Sequence, residues 1–189
     1  MKIRKKGKGE YGYLKWMRLR GVILTFLLFL VSCVFYFAGV LYTGSNKNLL
    51  TIFAVLGMLP ACQSFIYAVL YFRAKGTGEK AYQEINQFLQ DQRYYPLYDL
   101  CLTSYEKNFD VECFLFTGEK ILILSDGGKA LADHVSRHLA IDQIFNMPIT
   151  VCGKLEEFLS LLQEAIDSQN AVDLETQNHI YAVIYAISL

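Results

Sequence analysis

The chain has 189 residues, 53% of them hydrophobic, with a mean hydropathy of +0.26 and a formal net charge of zero. That zero conceals three regions: residues 1–20 carry +7, residues 21–75 carry +3, and residues 76–189 carry −10. An acidic C-terminal region repels a phosphate backbone, which argues against nucleic acid as its partner, and five cysteines with no CxxC spacing argue against a disulfide framework or a zinc ribbon.

Residues 1–20 form a basic arm with Lys2, Arg4, Lys5, Lys6, Lys8, Lys15, Arg18 and Arg20 against the single acid Glu10. No charge occurs in residues 21–43 or in residues 48–72. Each stretch exceeds the ~20 apolar residues needed to cross ~30 Å of hydrocarbon. The first is too long for a signal peptide and lacks a small-x-small cleavage site. The spacing predicts a transmembrane hairpin over residues 21–72, turning at Gly44-Ser45-Asn46-Lys47. Eight basic residues precede it and Arg73 and Lys75 follow it, so the positive-inside rule predicts an inner-membrane protein with both termini cytoplasmic. The arm's lysines are expected against anionic headgroups.

Small residues recur every seventh position in both spans: Thr25, Ser32 and Gly39 in the first, Ala54, Ala61 and Ala68 in the second, with Gly57 and Ser64 on a neighbouring row. Such stripes let helix backbones approach closely in lipid. They fit either packing within one hairpin or self-association of two. Gly57 and Pro60 predict a bend in the second span. The spans hold no Asp, Glu, Lys, Arg or His, which points to an anchor rather than a transport pathway.

After a linker at residues 73–78, residues 79–189 read as an acidic cytoplasmic α/β domain of order α-β-β-β-α-β-α with a small mixed sheet. The periodicity predicts a helix over 79–92, strands over 98–105, 111–116 and 120–124, a helix over 129–143, a strand over 148–152 and a helix over 155–168. Residues 173–189 fit a helix or a strand; an uncharged tail favours a helix packed on the domain.

His134 and His138 stand four apart on one predicted helix face, continued by Asp142. No Glu intervenes in the manner of HExxH, and two histidines alone make an incomplete metal site. Asp99, Asp110, Glu112 and Glu119 fit hydrophilic strand ends as well as a cation site. Asp126-Gly127-Gly128-Lys129 lacks phosphate-loop spacing and reads as a turn before a helix. No catalytic, cofactor or metal residue follows from these patterns; His134, His138, Asp110 and Glu112 are the candidates for a metal.

The α-β-β-β-α-β order over residues 79–152 resembles the core of the restriction-endonuclease-like superfamily. That resemblance implies an acid on the second strand and Asp/Glu-x-Lys on the third. Asp110 and Glu112 stand at the second strand, but Glu119-Lys120 is adjacent where the pattern needs one residue between, so strand alternation puts the two on opposite faces. Across most of its length the chain also resembles a family of uncharacterised two-span bacterial proteins. The features that carry this are Gly9-Glu10-Tyr11-Gly12-Tyr13, the stretch from Ala54 to Ala61, and Tyr98-Asp99-Leu100 with Thr103-Ser104-Tyr105-Glu106-Lys107. The expected function is a non-enzymatic, membrane-anchored module binding an unidentified protein partner or itself. The competing readings are a metal-dependent enzyme on a degenerate nuclease-like fold and a small subunit of a larger membrane complex.

Overall fold

The structure, a computed structural model, describes residues 6–45, 47–89, 94–105, 107–145, 147–168 and 172–189. Lys2, Arg4 and Lys5 of the arm, Asn46 of the turn, residues 90–92 of the first predicted domain helix, and Glu106 lie outside the described residues. The chain divides into two compact units: Lys15–Arg73, and Ala74–Leu189 joined by the N-terminal residues up to Leu14. The N-terminal segment up to Leu14 thus clusters with the sheet-containing unit.

The first unit is a pair of helices, α1 (Tyr13–Thr43) and α2 (Leu49–Arg73). Both are long and apolar enough to cross a membrane, and only 6% and 11% of their most apolar windows are buried. Phe26, Leu59 and Val55 are each more than 60% exposed, the opposite of a core helix in a water-soluble fold. Helix α1 begins eight residues before the uncharged stretch, since Tyr13 to Arg20 contains no breaker. The small-residue stripes meet each other within the pair. Thr25 Oγ1 donates to Ser64 Oγ at 3.1 Å, and Ser32, Ala54, Ala61 and Ala68 are buried. A Cβ on Gly57 would lie 2.7 Å from Ser32 Oγ, and one on Gly21 3.0 Å from Ala68 Cβ. Helix α2 stays continuous through Pro60.

The second unit is a four-stranded sheet with helices on both faces. Its elements are α3 (Glu79–Phe88), β1 (Leu97–Leu102), β2 (Phe109–Phe116), β3 (Ile121–Leu124), α4 (Gly128–Ile141), β4 (Ile149–Cys152), α5 (Leu155–Asp167) and α6 (Leu174–Ile187). The sheet order is β1-β2-β3-β4, antiparallel except for the parallel pair β3–β4. The sheet is mixed, as expected. Residues 174–187 form a helix, because Ile180, Val183 and Ile184 pack at helical spacing in the core beside Leu131, Val135 and Leu139 of α4. On the other face, Ala81 and Ile85 of α3 and Phe158 and Leu162 of α5 cover Tyr98, Cys113, Leu115 and Leu122.

Strand β1 stops at Leu102, three residues short of the predicted end, where Thr103 N donates to Ile187 O instead of continuing the ladder. Strand β2 starts two residues earlier than predicted, so Asp110 and Glu112 lie within it. The outer edge of β1 is covered by both ends of the chain. Tyr98 N donates to Gly9 O at 2.8 Å, and Leu189 N donates to Cys101 O at 2.9 Å. Pairing an edge in this way removes a template for unwanted strand addition.

Candidate functional site

Residues 97–102 and 109–116 do not keep one alternation. Leu97 faces the α4/α6 core, and so do Leu100 and Leu102; on β2, Phe109 and Val111 share that core with Phe114 and Phe116. Both strands therefore shift face by one residue at Asp99 and Glu112, yet the register is unbroken, with Tyr98 opposite Cys113 and Leu100 opposite Val111. Asp99 absorbs the shift with φ +52°, a left-handed conformation that Asp tolerates better than most residues.

The interruption is filled by Thr77. Its Oγ1 accepts from Asp99 N at 3.1 Å and donates to Glu112 O at 2.5 Å, so the hydroxyl bridges the gap in the β1–β2 ladder. The Asp99 carboxylate, 3% exposed, accepts the backbone N–H of Thr77 at 2.6 Å and that of Gly12 at 2.5 Å. One buried side chain thus ties together the segment before α1, the segment after α2 and the distorted centre of the first strand pair. The linker expected at 73–78 is consequently part of the domain at Thr77.

The N-terminal segment is shaped for this contact. Gly9 and Gly12 both adopt φ +85°, and a Cβ on Gly9 would lie 2.8 Å from Tyr185 Oη. Tyr11 stacks on Tyr82 with centroids 4.0 Å apart, and Leu14 is fully buried. Lys8 Nζ donates to Tyr185 O and Ser188 O at 2.8 and 2.7 Å, placing a cation at the C-terminal end of α6, where the helix dipole favours it. Burial lowers the Lys8 pKa from its ordinary value. Lys6 Nζ donates to Tyr11 O. Both lysines thus donate to backbone carbonyls of the sheet-containing unit.

The predicted metal candidates fall in two places. Asp110 and Glu112 line a small cleft of about 190 Å³ with Lys75, Ser125, Asp126 and Gly127. Lys75 Nζ lies 3.6 Å from Glu112 and 3.4 Å from Asp126, and these carboxylates raise its pKa, Asp126 most. Ser125 Oγ donates to Asp110 O and accepts from Gly127 N, fixing the turn into α4. His134 and His138 sit with ring centroids 4.7 Å apart, and His134 also lies 5.6 Å from Phe109. His134 is 8% exposed and its Nε2 has no hydrogen-bond partner. Its pKa is lowered by burial first, then by His138 and Arg137, against an opposing hydrogen bond to the Thr103 backbone. Among the described residues no three His, Cys, Asp or Glu side chains gather as a metal-binding group. Lys120 pairs with Glu164 at 3.4 Å.

No thiolate nucleophile is poised here. Burial, with Asp110 adding, pushes the Cys101 thiol up to about 12, and burial also raises Cys113 and Cys152. A reactive cysteine needs the reverse shift.

No protein-family model matches the chain, no curated protein matches its sequence, and no solved structure matches its fold.

The sequence marks the Gly9-Tyr13 motif without a role and offers Asp99 as a hydrophilic strand end or cation ligand; the structure instead buries Asp99 within β1 on two backbone amides. The available signal was an aspartate inside the otherwise apolar run Leu97–Leu102, together with glycines alternating with aromatics ahead of a long apolar helix.

Proposed function

We propose that the chain is a two-pass inner-membrane protein whose hairpin anchors an acidic, non-enzymatic interaction module at the cytoplasmic face. The observation that carries the topology is the Asp99 carboxylate. It accepts one N–H from each flank of the hairpin, Gly12 and Thr77, which supports a reading with both flanks on one side of the bilayer. The basic residues flanking the spans favour the cytoplasmic side.

The module reading rests on the two edges of the sheet. Both N- and C-terminal segments cover β1, whereas β4 is a partly buried edge strand whose one strand partner among the described residues is β3. Edge addition is a general mode of protein recognition, with main-chain hydrogen bonds giving the affinity. The partner in this proposal is a protein segment that adds to β4.

Two measurements test the proposal. A Lys47→Cys variant should react with a membrane-impermeant maleimide in intact cells, while Glu175→Cys should react only after lysis; the reverse pattern would reject the topology. A photoreactive residue at Ile149 should give a discrete cross-linked adduct in cells, and its absence alongside correct topology would reject the β4 edge as the contact.

A further inference from the structure

The two long helices enclose two lengthwise grooves of different chemistry. One, about 490 Å³, is lined by side chains such as Val22, Phe26, Phe29, Phe65 and Phe72 and holds no charged group. The other, about 420 Å³, runs between Arg20, Leu24 and Leu28 of α1 and Pro60, Gln63 and Tyr67 of α2. Its single charged lining residue, Arg20, stands at one end. The Arg20 guanidinium lies 5.3 Å from the Trp16 ring centroid, a cation–π contact that holds it beside the helix.

The dimensions are those of one leaflet. From Arg20 to Leu28 is eight residues of helix, about 12 Å at 1.5 Å per residue. Half of a hydrocarbon core is about 15 Å. The charged mouth would therefore sit at headgroup level, with the apolar length reaching towards the bilayer centre. Lys15, Arg18 and Arg73 lie on the same ends of the two helices, and Arg18 Nε donates to Tyr71 O at 2.8 Å. A guanidinium is suited to phosphate through its planar fork of donors.

We propose that this groove binds one anionic phospholipid of the cytoplasmic leaflet, with its phosphate on Arg20 and an acyl chain along Leu24, Leu28 and Pro60. This rests on the two-pass topology proposed above. The opposite groove takes acyl chains without selecting a headgroup, because it offers no cation.

The test uses the full chain in detergent, with phosphatidylglycerol or phosphatidylcholine of identical acyl chains added and retention read by native mass spectrometry. Wild type should retain phosphatidylglycerol about fivefold over phosphatidylcholine, the effect expected of one cation at an anionic surface. Arg20→Gln should lower that ratio severalfold, Arg20→Lys should lower it less, and Phe29→Ala in the other groove should leave it unchanged. Equal retention of the two lipids by wild type, or an undiminished preference in Arg20→Gln, overturns the proposal. Unchanged helicity of each variant by circular dichroism keeps the comparison valid, and Arg20→Lys serves if Arg20→Gln misfolds. Failure of the topology would appear in the Lys47→Cys labelling, whereas a correctly inserted chain with no lipid preference fails this proposal alone.

Discussion

Asp99 Oδ2 lies 2.5 Å from the amide nitrogen of Gly12, 87 residues away, with both long helices between them in the sequence. The same carboxylate takes the Thr77 amide through Oδ1. Removing it leaves two buried N–H groups without acceptors, at about 1–3 kcal/mol each. Asp99→Ala is expected to destabilise the sheet-containing unit by about 3 kcal/mol. Asp99→Asn, which keeps one acceptor oxygen and tolerates the left-handed backbone, should cost less than half of that. Urea unfolding of the full chain in detergent measures both. Hydrogen exchange should rise at Gly12 and Thr77 in Asp99→Ala.

Because residues 6–14 complete the sheet-containing unit, its folding should not require the long helices. Joining residue 14 to residue 74 by a short Gly/Ser linker is expected to give a water-soluble, cooperatively folding protein. Residues 79–189 alone should aggregate, since the β1 edge at Tyr98 and the face of Tyr82 lose their cover. Within the linked protein, Gly9→Ala should cost about 1–3 kcal/mol, because a Cβ at φ +85° is strained and meets Tyr185. Size-exclusion chromatography and thermal unfolding distinguish these outcomes. Equal solubility of the two proteins would show that the arm is dispensable.

Much of the architecture was legible from local pattern. Uncharged runs marked both long helices, and hydrophobic periodicity marked the strands and the first three helices of the sheet-containing unit to within a few residues, while it left the last segment open between helix and strand. The Asp99 junction was not legible, for a physical reason. Its partners Gly12 and Thr77 are distant in sequence, and its bonds go to backbone amides, which every residue type carries. The simultaneous shift of β1 and β2 was hidden too, since β2 alternates only through Phe109–Glu112 and then runs apolar on both faces from Cys113 to Phe116, where no pattern marks the change of face. Asp110, Glu112, His134 and His138 were visible as residue types, but spacing alone could not show that the carboxylates and the histidines occupy different surroundings.

His134 makes stability depend on pH. Burial lowers its pKa in the folded state, so the unfolded chain binds more protons as pH falls through the ordinary histidine value near 6.5. Stability is therefore full above about pH 6.5 and declines below it, as the imidazole must either stay neutral at a cost or charge against its apolar surroundings. Urea midpoints of the linked soluble protein at pH 7.5 and pH 5.5 should differ more for wild type than for His134→Phe. The substitution keeps a ring beside Phe109 and removes the unpartnered Nε2, but it also removes the hydrogen bond to the Thr103 backbone, so it should cost about 1 kcal/mol at pH 7.5. An unchanged pH dependence in His134→Phe would assign the effect to other groups.

The contact between Gly57 and Ser32 sets how closely α1 and α2 approach, because a Cβ at residue 57 would lie 2.7 Å from the Ser32 hydroxyl oxygen. In the membrane setting proposed above, lipid gives no hydrophobic drive to hold two apolar helices together, so such close packing would carry the pairing. Thr25→Cys and Ser64→Cys, placed where the native hydroxyl oxygens are 3.1 Å apart, should form a disulfide on oxidation and report the native approach. Adding Gly57→Leu should force the helices apart and reduce the cross-linked fraction severalfold, by the overpacking cost of about 1–3 kcal/mol. Gly57→Ala should have a smaller effect that Ser32→Gly restores, because the second substitution removes the atom that the new methyl meets. Cross-linking that is indifferent to Gly57→Leu would mean that the two helices are held together elsewhere along their length.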